Sequence, residues 1–383
     1  MSETRDTILV LGTGATRGGG FRVKIGDHQF QPPLDRDFFT TPAVQSIFNA
    51  KDYPALYHYW QSGQEKSLEA TWAKVDLYFK LCNREIISEA STWSTCRKAM
   101  ENKSENDLSY RLKMLAECPC CVVPSMALWE LRLLTRTVYE HLVPPSVIEP
   151  LKILLANLLP LNARLKAIVS FNYDTSLEKT LKWLGAQYRY PCLPYPPGPG
   201  SSEVSEADEL TLLKLHGSLN WQTTVCGNAY RIDLAPGESE VACISHCGRC
   251  YRQPEMIGPT FFKQEITMDT PDARQDFRAK YYNLLWRNAW DCLKEAKRVV
   301  FVGFSFPQTD FHAAALFQSA HVSGHGFDRV VVCHKGDTNT LNTMRNIFSG
   351  RMDSPTQLTE FDDGLEGLVA RKDELLALLK GPG

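Results

Sequence analysis

Glycines and threonines follow a short apolar run near the start of the chain, in a pattern that suits the binding of a phosphate group. Ile8 to Leu11 is continuously apolar and leads into a loop made of Gly12, Thr13, Gly14, Ala15 and Thr16. Glycine lets a backbone approach a pyrophosphate closely, and free N–H groups at the start of a helix attract an anion. This loop is therefore a candidate pyrophosphate site, and a tight turn without a ligand is the alternative.

Polar residues end two later apolar runs. Asn172 and Asp174 follow the run Ala167 to Phe171, where their side chains could hydrogen-bond sugar hydroxyls or hold a water. Asp174 has a second interpretation, because an Asp at this place can cap the helix that follows. His216 ends the weaker run Leu212 to Leu215. A pKa near neutrality suits a histidine for general-base catalysis, and a buried structural role is the alternative.

The turn from Gly303 to Asp310 is a fourth motif, and it contains Ser305. It follows a continuously apolar run that begins at Val299. Small and polar residues at a strand end are typical of the ligand site of an open α/β sheet. By itself the motif predicts only a connection from a strand to a helix, with Asp310 as the helix cap.

Four cysteines have a spacing that suggests a structural zinc ion: Cys226, Cys243, Cys247 and Cys250. Four thiolates around a tetrahedral Zn²⁺ usually come as two closely spaced pairs. Only Cys247 and Cys250 form a true C-x-x-C pair, and His246 could replace one ligand. The alternative is a module that has lost its metal or keeps unpaired thiols.

The elements that must position these residues are short strands buried on both faces. Five apolar runs recur along the chain, and most of them lead into small, polar or turn-forming residues. Helical patterns separate them at Asp174 to Leu184, Asp276 to Ala296 and Asp310 to His321. The chain is therefore predicted to be an α/β protein with a Rossmann-like doubly wound parallel sheet, a large helical insertion and a small cysteine-containing module.

The segment between the first and second apolar runs has helical spacing and many aromatic residues. We interpret it as a helical insertion whose aromatic side chains form its own core. The predicted boundaries are 1–40 and 160–350 for the Rossmann-like domain and 41–159 for the insertion. A zinc module over 223–256 and a C-terminal helical segment over 351–383 complete the division.

Composition excludes several functional classes. The 42 basic and 44 acidic side chains leave a net charge of −2, which argues against direct nucleic-acid binding. No run approaches the ~20 apolar residues that a membrane span needs. The start of the chain does not resemble a secretory signal, so the twelve cysteines indicate a reduced, cytoplasmic setting.

Taken in order, the four motifs resemble the sirtuin superfamily, and most closely its bacterial sirtuin-like branch of NAD-degrading antiphage effectors. The likeness lies in the ordered set Gly-Thr-Gly-Ala-Thr, Phe-Asn-Tyr-Asp, Leu-His-Gly-Ser and Gly-Phe-Ser, and it leaves the helical insertion unmatched. It implies that the glycine loop holds the NAD phosphates, with Asn172 at the nicotinamide ribose or the attacking water. It also implies that His216 is the catalytic base.

The same resemblance implies further contacts, and the chain also departs from the family. Gly303 and Ser305 would border the adenosine side, and Asp35 would lie in the loop over the nicotinamide end. Phe171 stands where deacylating sirtuins carry Gln, and their Pro-Asp-Phe-Arg and Phe-Gly-Glu segments are not recognisable. The resemblance thus implies an NAD-cleaving core with water, and not an acyl-lysine peptide, as the acceptor.

The function predicted from the resemblance is cleavage of NAD⁺ to nicotinamide and ADP-ribose by an antiphage effector that depletes cellular NAD⁺. One alternative is an NAD-dependent protein deacylase or ADP-ribosyltransferase. Another is a non-catalytic assembly subunit that binds NAD or ADP-ribose. Homo-oligomer formation and a regulatory partner, with a HerA-type hexameric ATPase as the candidate, are expected from the family, as is structural zinc.

Overall fold

The computed structural model describes twelve stretches of the chain. They are residues 6–63, 66–86, 122–144, 149–159, 165–191, 210–224, 230–232, 252–256, 277–307, 310–336, 338–348 and 356–380. In chain order their strands are β1 (Thr7–Leu11), β2 (Arg22–Ile25), β3 (His28–Phe30), β4 (Leu142–Val143), β5 (Leu165–Ser170), β6 (Tyr188–Arg189), β7 (Leu210–Lys214), β8 (Gly217–Thr224), β9 (Tyr230–Ile232), β10 (Arg252–Met256), β11 (Arg298–Val302), β12 (Arg329–Cys333) and β13 (Gln357–Phe361).

Seven of these strands form the main sheet, in the order β13-β12-β11-β1-β5-β7-β6. Every neighbouring pair runs parallel. Strand β1 lies inside the sheet, with β5, β7 and β6 on one side of it and β11, β12 and β13 on the other. Since crossovers between parallel strands are right-handed, the helices then cover both faces of the sheet. The predicted Rossmann-like doubly wound α/β fold is confirmed.

The inner strands of this sheet are buried on both faces, as their apolar runs predict. Ile8, Leu9 and Val10 of β1 are 0% exposed, and so are Val299 and Val300 of β11. Parallel strands need such uninterrupted apolar runs because helices cover each face, whereas a one-sided sheet alternates apolar and polar residues. Each of the five apolar runs found in the sequence corresponds to one strand, namely β1, β5, β7, β11 and β12.

The helices of the described residues are α1 (Thr13–Gly18), α2 (Pro42–Gln45), α3 (Pro54–Gly63), α4 (Leu68–Ile86), α5 (Val122–Glu140), α6 (Pro150–Leu158), α7 (Ser176–Trp183), α8 (Phe277–Lys294), α9 (Phe311–Ser323), α10 (Thr338–Phe348), α11 (Gly364–Ala370) and α12 (Lys372–Lys380). A 3₁₀ helix covers Asp35–Thr40. Within these residues, no helix combines the length and the apolar character that crossing a membrane requires.

The described residues divide into two units by their contacts. The larger takes its residues from within 1–22, 142–257 and 262–383, and it contains the main sheet. The smaller comes mainly from 23–141 and contains α2 to α5. In the smaller unit the buried carboxylate of Glu130 on α5 accepts the Leu56 N–H of α3 at 2.8 Å, which ties these two helices together. The domain boundaries proposed from the sequence stay predictions.

A small antiparallel sheet follows the main sheet's β7, with the order β10-β8-β9. Strand β8 begins immediately after His216, at Gly217. The four candidate zinc ligands, Cys226, Cys243, Cys247 and Cys250, lie outside the described residues, as does most of the predicted module over 223–256.

The C-terminal segment contains a strand that the sequence pattern does not predict. Residues 351–383 are predicted to be helical, and α11 and α12 are found there, but β13 precedes them and pairs with β12. Strand β13 is an edge strand in which Phe361 is the one buried residue. An edge strand needs only a partner on one side, so its sequence Gln-Leu-Thr-Glu-Phe lacks the apolar run of the central strands.

Candidate functional site

The candidate site lies at the carboxyl ends of β1, β5, β7 and β11, where the strand order reverses between β1 and β11. Open α/β sheets bind their ligands at such a switch point, because the loops that follow the two strands diverge there. Here the two loops are held together by backbone hydrogen bonds. The Gly12 N–H donates to Val302 O at 3.0 Å, and the Gly14 N–H donates to Gly303 O at 3.1 Å.

The glycines at this switch point are required by packing between the two loops. A Cβ on Gly12 would lie 2.3 Å from Gly303 O, and one on Gly303 would lie 2.3 Å from Ala15 N. Gly303 also has a φ of +64°, which favours glycine. The N–H groups of Gly14 and Ala15 donate to Gly303 O and to Gly12 O. The two N–H groups therefore already have backbone acceptors, and phosphate binding by this loop stays a prediction.

Thr16 joins the first loop to the segment that follows β5. Its hydroxyl donates to Asp174 Oδ2 at 2.9 Å and lies 3.1 Å from Ser176 Oγ. The same oxygen accepts a hydrogen bond from Asn172 Nδ2 at 3.1 Å. Thr16 is 2% exposed. A residue that the sequence places in a phosphate loop thus serves to hold two predicted site residues, Asn172 and Asp174.

Asn172 has a fixed amide orientation that leaves its oxygen available. Its Nδ2 donates to Gly12 O at 2.9 Å as well as to Thr16, and because a carbonyl can only accept, the nitrogen must face it. Its Oδ1 is buried, and within the described part of the chain no group donates to it. A buried acceptor without a donor costs about 1–3 kcal/mol, so this oxygen is poised to accept from a water or a ligand hydroxyl.

Asp174 accepts the first backbone N–H of the helix that follows, although Thr175 is the N-cap residue of that helix. Its Oδ1 accepts the N–H of Ser176, the first residue of α7, at 2.9 Å, while Oδ2 accepts from Thr16. The side chain is 2% exposed. Both of its carboxylate oxygens are engaged with the protein, and its predicted contact with NAD stays a prediction.

A buried polar network supports the Asn172 segment from the side of β7. Lys214, 0% exposed, donates to the carbonyl oxygen of Asp174 and to Glu178 Oε1. Tyr190 donates to the same Glu178 oxygen at 2.7 Å and accepts from Asn220 Nδ2 at 3.2 Å. Burial, followed by the charge of Glu178, raises the pKa of Tyr190 well above its ordinary value. Tyr190 is therefore a phenol that stays protonated and keeps donating.

His216 follows β7 and is almost completely enclosed, at 4% exposed. Its ring meets Phe171 edge to face at a centroid distance of 5.1 Å and lies 5.9 Å from the ring of Tyr173. These two aromatic residues flank Asn172 in the chain, so His216 packs against the segment that carries Asn172. His216 Nε2 lies 2.8 Å from Asp310 Oδ2.

Asp310 is a site residue whose role the sequence reasoning missed. The sequence pattern predicts it only as a cap of the helix, and it is the N-cap residue of α9, with Oδ1 accepting the Ala313 N–H at 3.4 Å. The contact of its other oxygen with His216 depends on two loops from different strands. An acidic residue next to a strand-end motif of small and polar residues marks Asp310 as a candidate site residue, but it does not indicate His216 as the partner.

Ser305 and Asp35 are two further predicted site residues that the structure describes. Ser305 is exposed on the loop after β11. Asp35 belongs to the smaller unit, where its carboxylate accepts from Ser67 Oγ and from the Glu69 N–H at the start of α4. Among the described side chains, no group of three or more His, Cys, Asp and Glu could hold a metal ion.

Comparison with known proteins gives structural neighbours alone. No protein-family model and no curated protein matches the chain. Solved structures do align: a Sir2 homologue–NAD complex at 13% identity and a TM-score of 0.40, covering 99% of this chain and 91% of that one. A Sir2–p53 peptide–NAD⁺ complex (10%, TM-score 0.38) and Sir2Tm bound to a propionylated peptide (10%, TM-score 0.36) each cover 98% of this chain and 95% of theirs. The similarity is one of fold.

Proposed function

We propose that this protein is an NAD⁺ glycohydrolase that cleaves the bond between nicotinamide and ribose. The observation that carries the proposal is the side chain of Asn172, whose Nδ2 is held by Gly12 O and Thr16 Oγ1 while its buried Oδ1 lacks a donor. An oriented acceptor of this kind suits a ribose hydroxyl or an attacking water. The resemblance of the four sequence motifs to NAD-degrading sirtuin-like effectors supports NAD⁺ as the substrate.

The chemistry asks little of the protein beyond orientation and one base. Nicotinamide is a cation in NAD⁺ and leaves as a neutral molecule, so strong acid assistance is unnecessary. The transition state is expected to resemble an oxocarbenium ion, as in other glycosyl transfers. Asn172 would orient the water and His216 would take its proton, within an enclosure of Phe171 and Tyr173 that restricts bulk water.

The alternative functions use the same NAD site. They differ in the group that accepts the ADP-ribosyl unit, or in whether NAD is cleaved at all. A protein deacylase or an ADP-ribosyltransferase would use an acyl-lysine peptide or a protein side chain in place of water. A binding subunit would hold NAD or ADP-ribose without cleaving it. Phe171 favours hydrolysis, because the position of the family's Gln is here taken by a ring stacked on Phe304 at 4.1 Å.

The biological setting is proposed from the sequence resemblance alone. Depletion of NAD⁺ in the cytoplasm would serve defence against phage, and a resting state would need control. We expect that control from homo-oligomer formation and from a partner, with a HerA-type hexameric ATPase as the candidate. Cys226, Cys243, Cys247 and Cys250 would hold a structural zinc ion. Their metal content can be measured directly on the purified protein.

The test is incubation of the purified full-length protein with NAD⁺, followed by chromatographic separation of the products. We expect equal amounts of nicotinamide and ADP-ribose. His216→Ala and Asn172→Ala should each lower turnover by at least about 100-fold, the usual contribution of a positioned proton-transfer group. His325→Ala and Asn342→Ala are matched controls, because both residues are exposed.

Other outcomes would identify the alternatives. Nicotinamide release only in the presence of an acyl-lysine peptide would indicate a deacylase, and labelled ADP-ribose on protein would indicate a transferase. Tight NAD binding without product over hours would indicate a binding subunit. Full turnover in folded His216→Ala, checked by circular dichroism, would overturn the proposed role of His216.

A further inference from the structure

The contact between His216 and Asp310 has the features of a paired acid and base. His216 Nε2 and Asp310 Oδ2 are 2.8 Å apart, and the two side chains are 4% and 0% exposed. A buried carboxylate needs a donor, and an imidazole N–H is one. The tautomer of a histidine is set by the partner of one ring nitrogen, which leaves the other nitrogen to accept a proton.

The loop before Asp310 contains a residue with a strained backbone conformation. It leaves β11 at Gly303 and passes through Phe306, whose φ of +50° is rare for a residue with a Cβ. Such a conformation is energetically unfavourable and is found mostly at functional sites. Ring contacts hold it: Phe304 stacks on Phe171 at 4.1 Å, and Phe306 meets Phe301 at 5.4 Å.

Capping of α9 does not explain why the Asp310 carboxylate is buried beside His216. Its capping contact, from the Ala313 N–H to Oδ1, is 3.4 Å long, whereas the contact of Oδ2 with His216 is 2.8 Å. A cap at the surface would serve the helix equally well, because it needs only one oxygen. The second oxygen instead lies 2.8 Å from a ring nitrogen of His216, a residue that follows another strand.

We propose that Asp310 is a positioning residue that holds His216 with its proton on Nε2, so that Nδ1 acts as the base. Within the proposed hydrolysis, on which this step rests, the water oxygen bonds to C1′ of the ribose and its proton passes to His216 Nδ1. The C1′–N bond breaks with its electron pair moving to nicotinamide, which leaves neutral. His216 then releases the proton to solvent, so NAD⁺ and water give ADP-ribose, nicotinamide and H⁺. Asp310 stabilises the imidazolium formed meanwhile.

The test uses Asp310→Asn in the full-length protein, because Asn caps a helix about as well as Asp and so preserves that role. We expect kcat for NAD⁺ cleavage to fall by about 10²–10⁴-fold, with KM changed by less than about threefold. The ¹⁵N NMR signals of His216, assigned with His216→Ala, should show protonation at Nε2 in the wild type and a mixture of tautomers in Asp310→Asn. Asp363→Asn, at the start of α11, is the matched control.

The two readouts separate the pairing from the proposed reaction. A wild type that does not cleave NAD⁺, but whose His216 loses the Nε2–H form in Asp310→Asn, would support the pairing and overturn the hydrolase. A wild type that cleaves NAD⁺, with Asp310→Asn equal to it in kcat and in its His216 spectrum, would overturn the pairing alone. If Asp310→Asn unfolds, the wild-type spectrum decides, since protonation at Nδ1 would contradict the proposal.

Discussion

Gly12 and Gly303 pack so closely that a Cβ on Gly12 would lie 2.3 Å from the carbonyl oxygen of Gly303. The two residues directly follow β1 and β11, the strands between which the order of the sheet reverses. Their contact fixes the position of Gly12 O, the acceptor that orients the Asn172 amide. Gly303 is also the first residue of the loop that leads to Asp310, the residue in contact with His216. Both predicted catalytic residues therefore depend on a backbone contact that involves neither of their side chains.

Gly303→Ala should strongly destabilise the protein. The added Cβ would clash with the backbone at Ala15, and alanine would also be strained in the left-handed conformation of this residue. We expect a loss of roughly 3 kcal/mol in the free energy of unfolding. Gly185→Ala is the control: its φ is +68° but no atom lies within 4 Å of the added Cβ. It should cost about 1 kcal/mol. Urea denaturation measures both, and equal losses would argue against a packing role for Gly303.

Thr16→Val should reduce both the stability of the protein and its catalysis. It removes the acceptor of Asn172 Nδ2 and the donor of Asp174 Oδ2 without changing the side-chain shape. We expect a destabilisation of about 1–3 kcal/mol and a fall of roughly 10-fold in kcat, because the amide is then held only by Gly12 O. The matched control is Thr180→Val, which removes a buried hydroxyl that bonds within α7. Equal turnover in the two variants would disprove the orienting role.

Asp35→Ala should destabilise the smaller unit by about 1–2 kcal/mol, because the Glu69 N–H and the Ser67 hydroxyl lose their acceptor. Burial, the larger effect, raises the pKa of Asp35 although these hydrogen bonds lower it. An acid whose pKa is raised by folding makes its full contribution to stability at a pH below its ordinary pKa. This contribution is lost as the pH rises through the pKa of the folded protein. Asp35→Asn keeps an acceptor without the charge and should stay within about 1 kcal/mol of the wild type near neutral pH.

The Asp35→Asn protein also tests the NAD contact predicted for this residue. Its KM for NAD⁺ should rise more than about threefold if the carboxylate meets the substrate. An unchanged KM would leave Asp35 with helix capping alone.

Cys333 should make stability fall at alkaline pH. Burial, and then the charge of Asp363, raises its pKa from 9.0 to about 12. Above about pH 9 the unfolded thiol loses its proton while the folded thiol keeps it, so stability decreases as the pH rises toward 12. Urea midpoints at about pH 8, 9 and 10 should decline less steeply in Cys333→Ala. Parallel declines in the two proteins would show that Cys333 does not contribute.

Much of the main sheet could be predicted from the sequence, because burial on both faces demands uninterrupted apolar residues. Ile8 to Leu11 and Val299 to Val302 meet that demand, and each forms a strand. Strand β13 could not be predicted in this way. It lies at the edge of the sheet, and only its last residue, Phe361, is buried.

The sequence by itself determined that Asn172 and His216 follow buried strands, because the apolar runs before them are a local pattern. Only the tertiary structure decided what these residues face. The order of the strands places β11 beside β1, and this brings Gly303 against Gly12 and Asp310 against His216. Strand order results from packing between elements far apart in the chain, and no local pattern around Asp310 distinguishes a helix cap from the partner of a histidine.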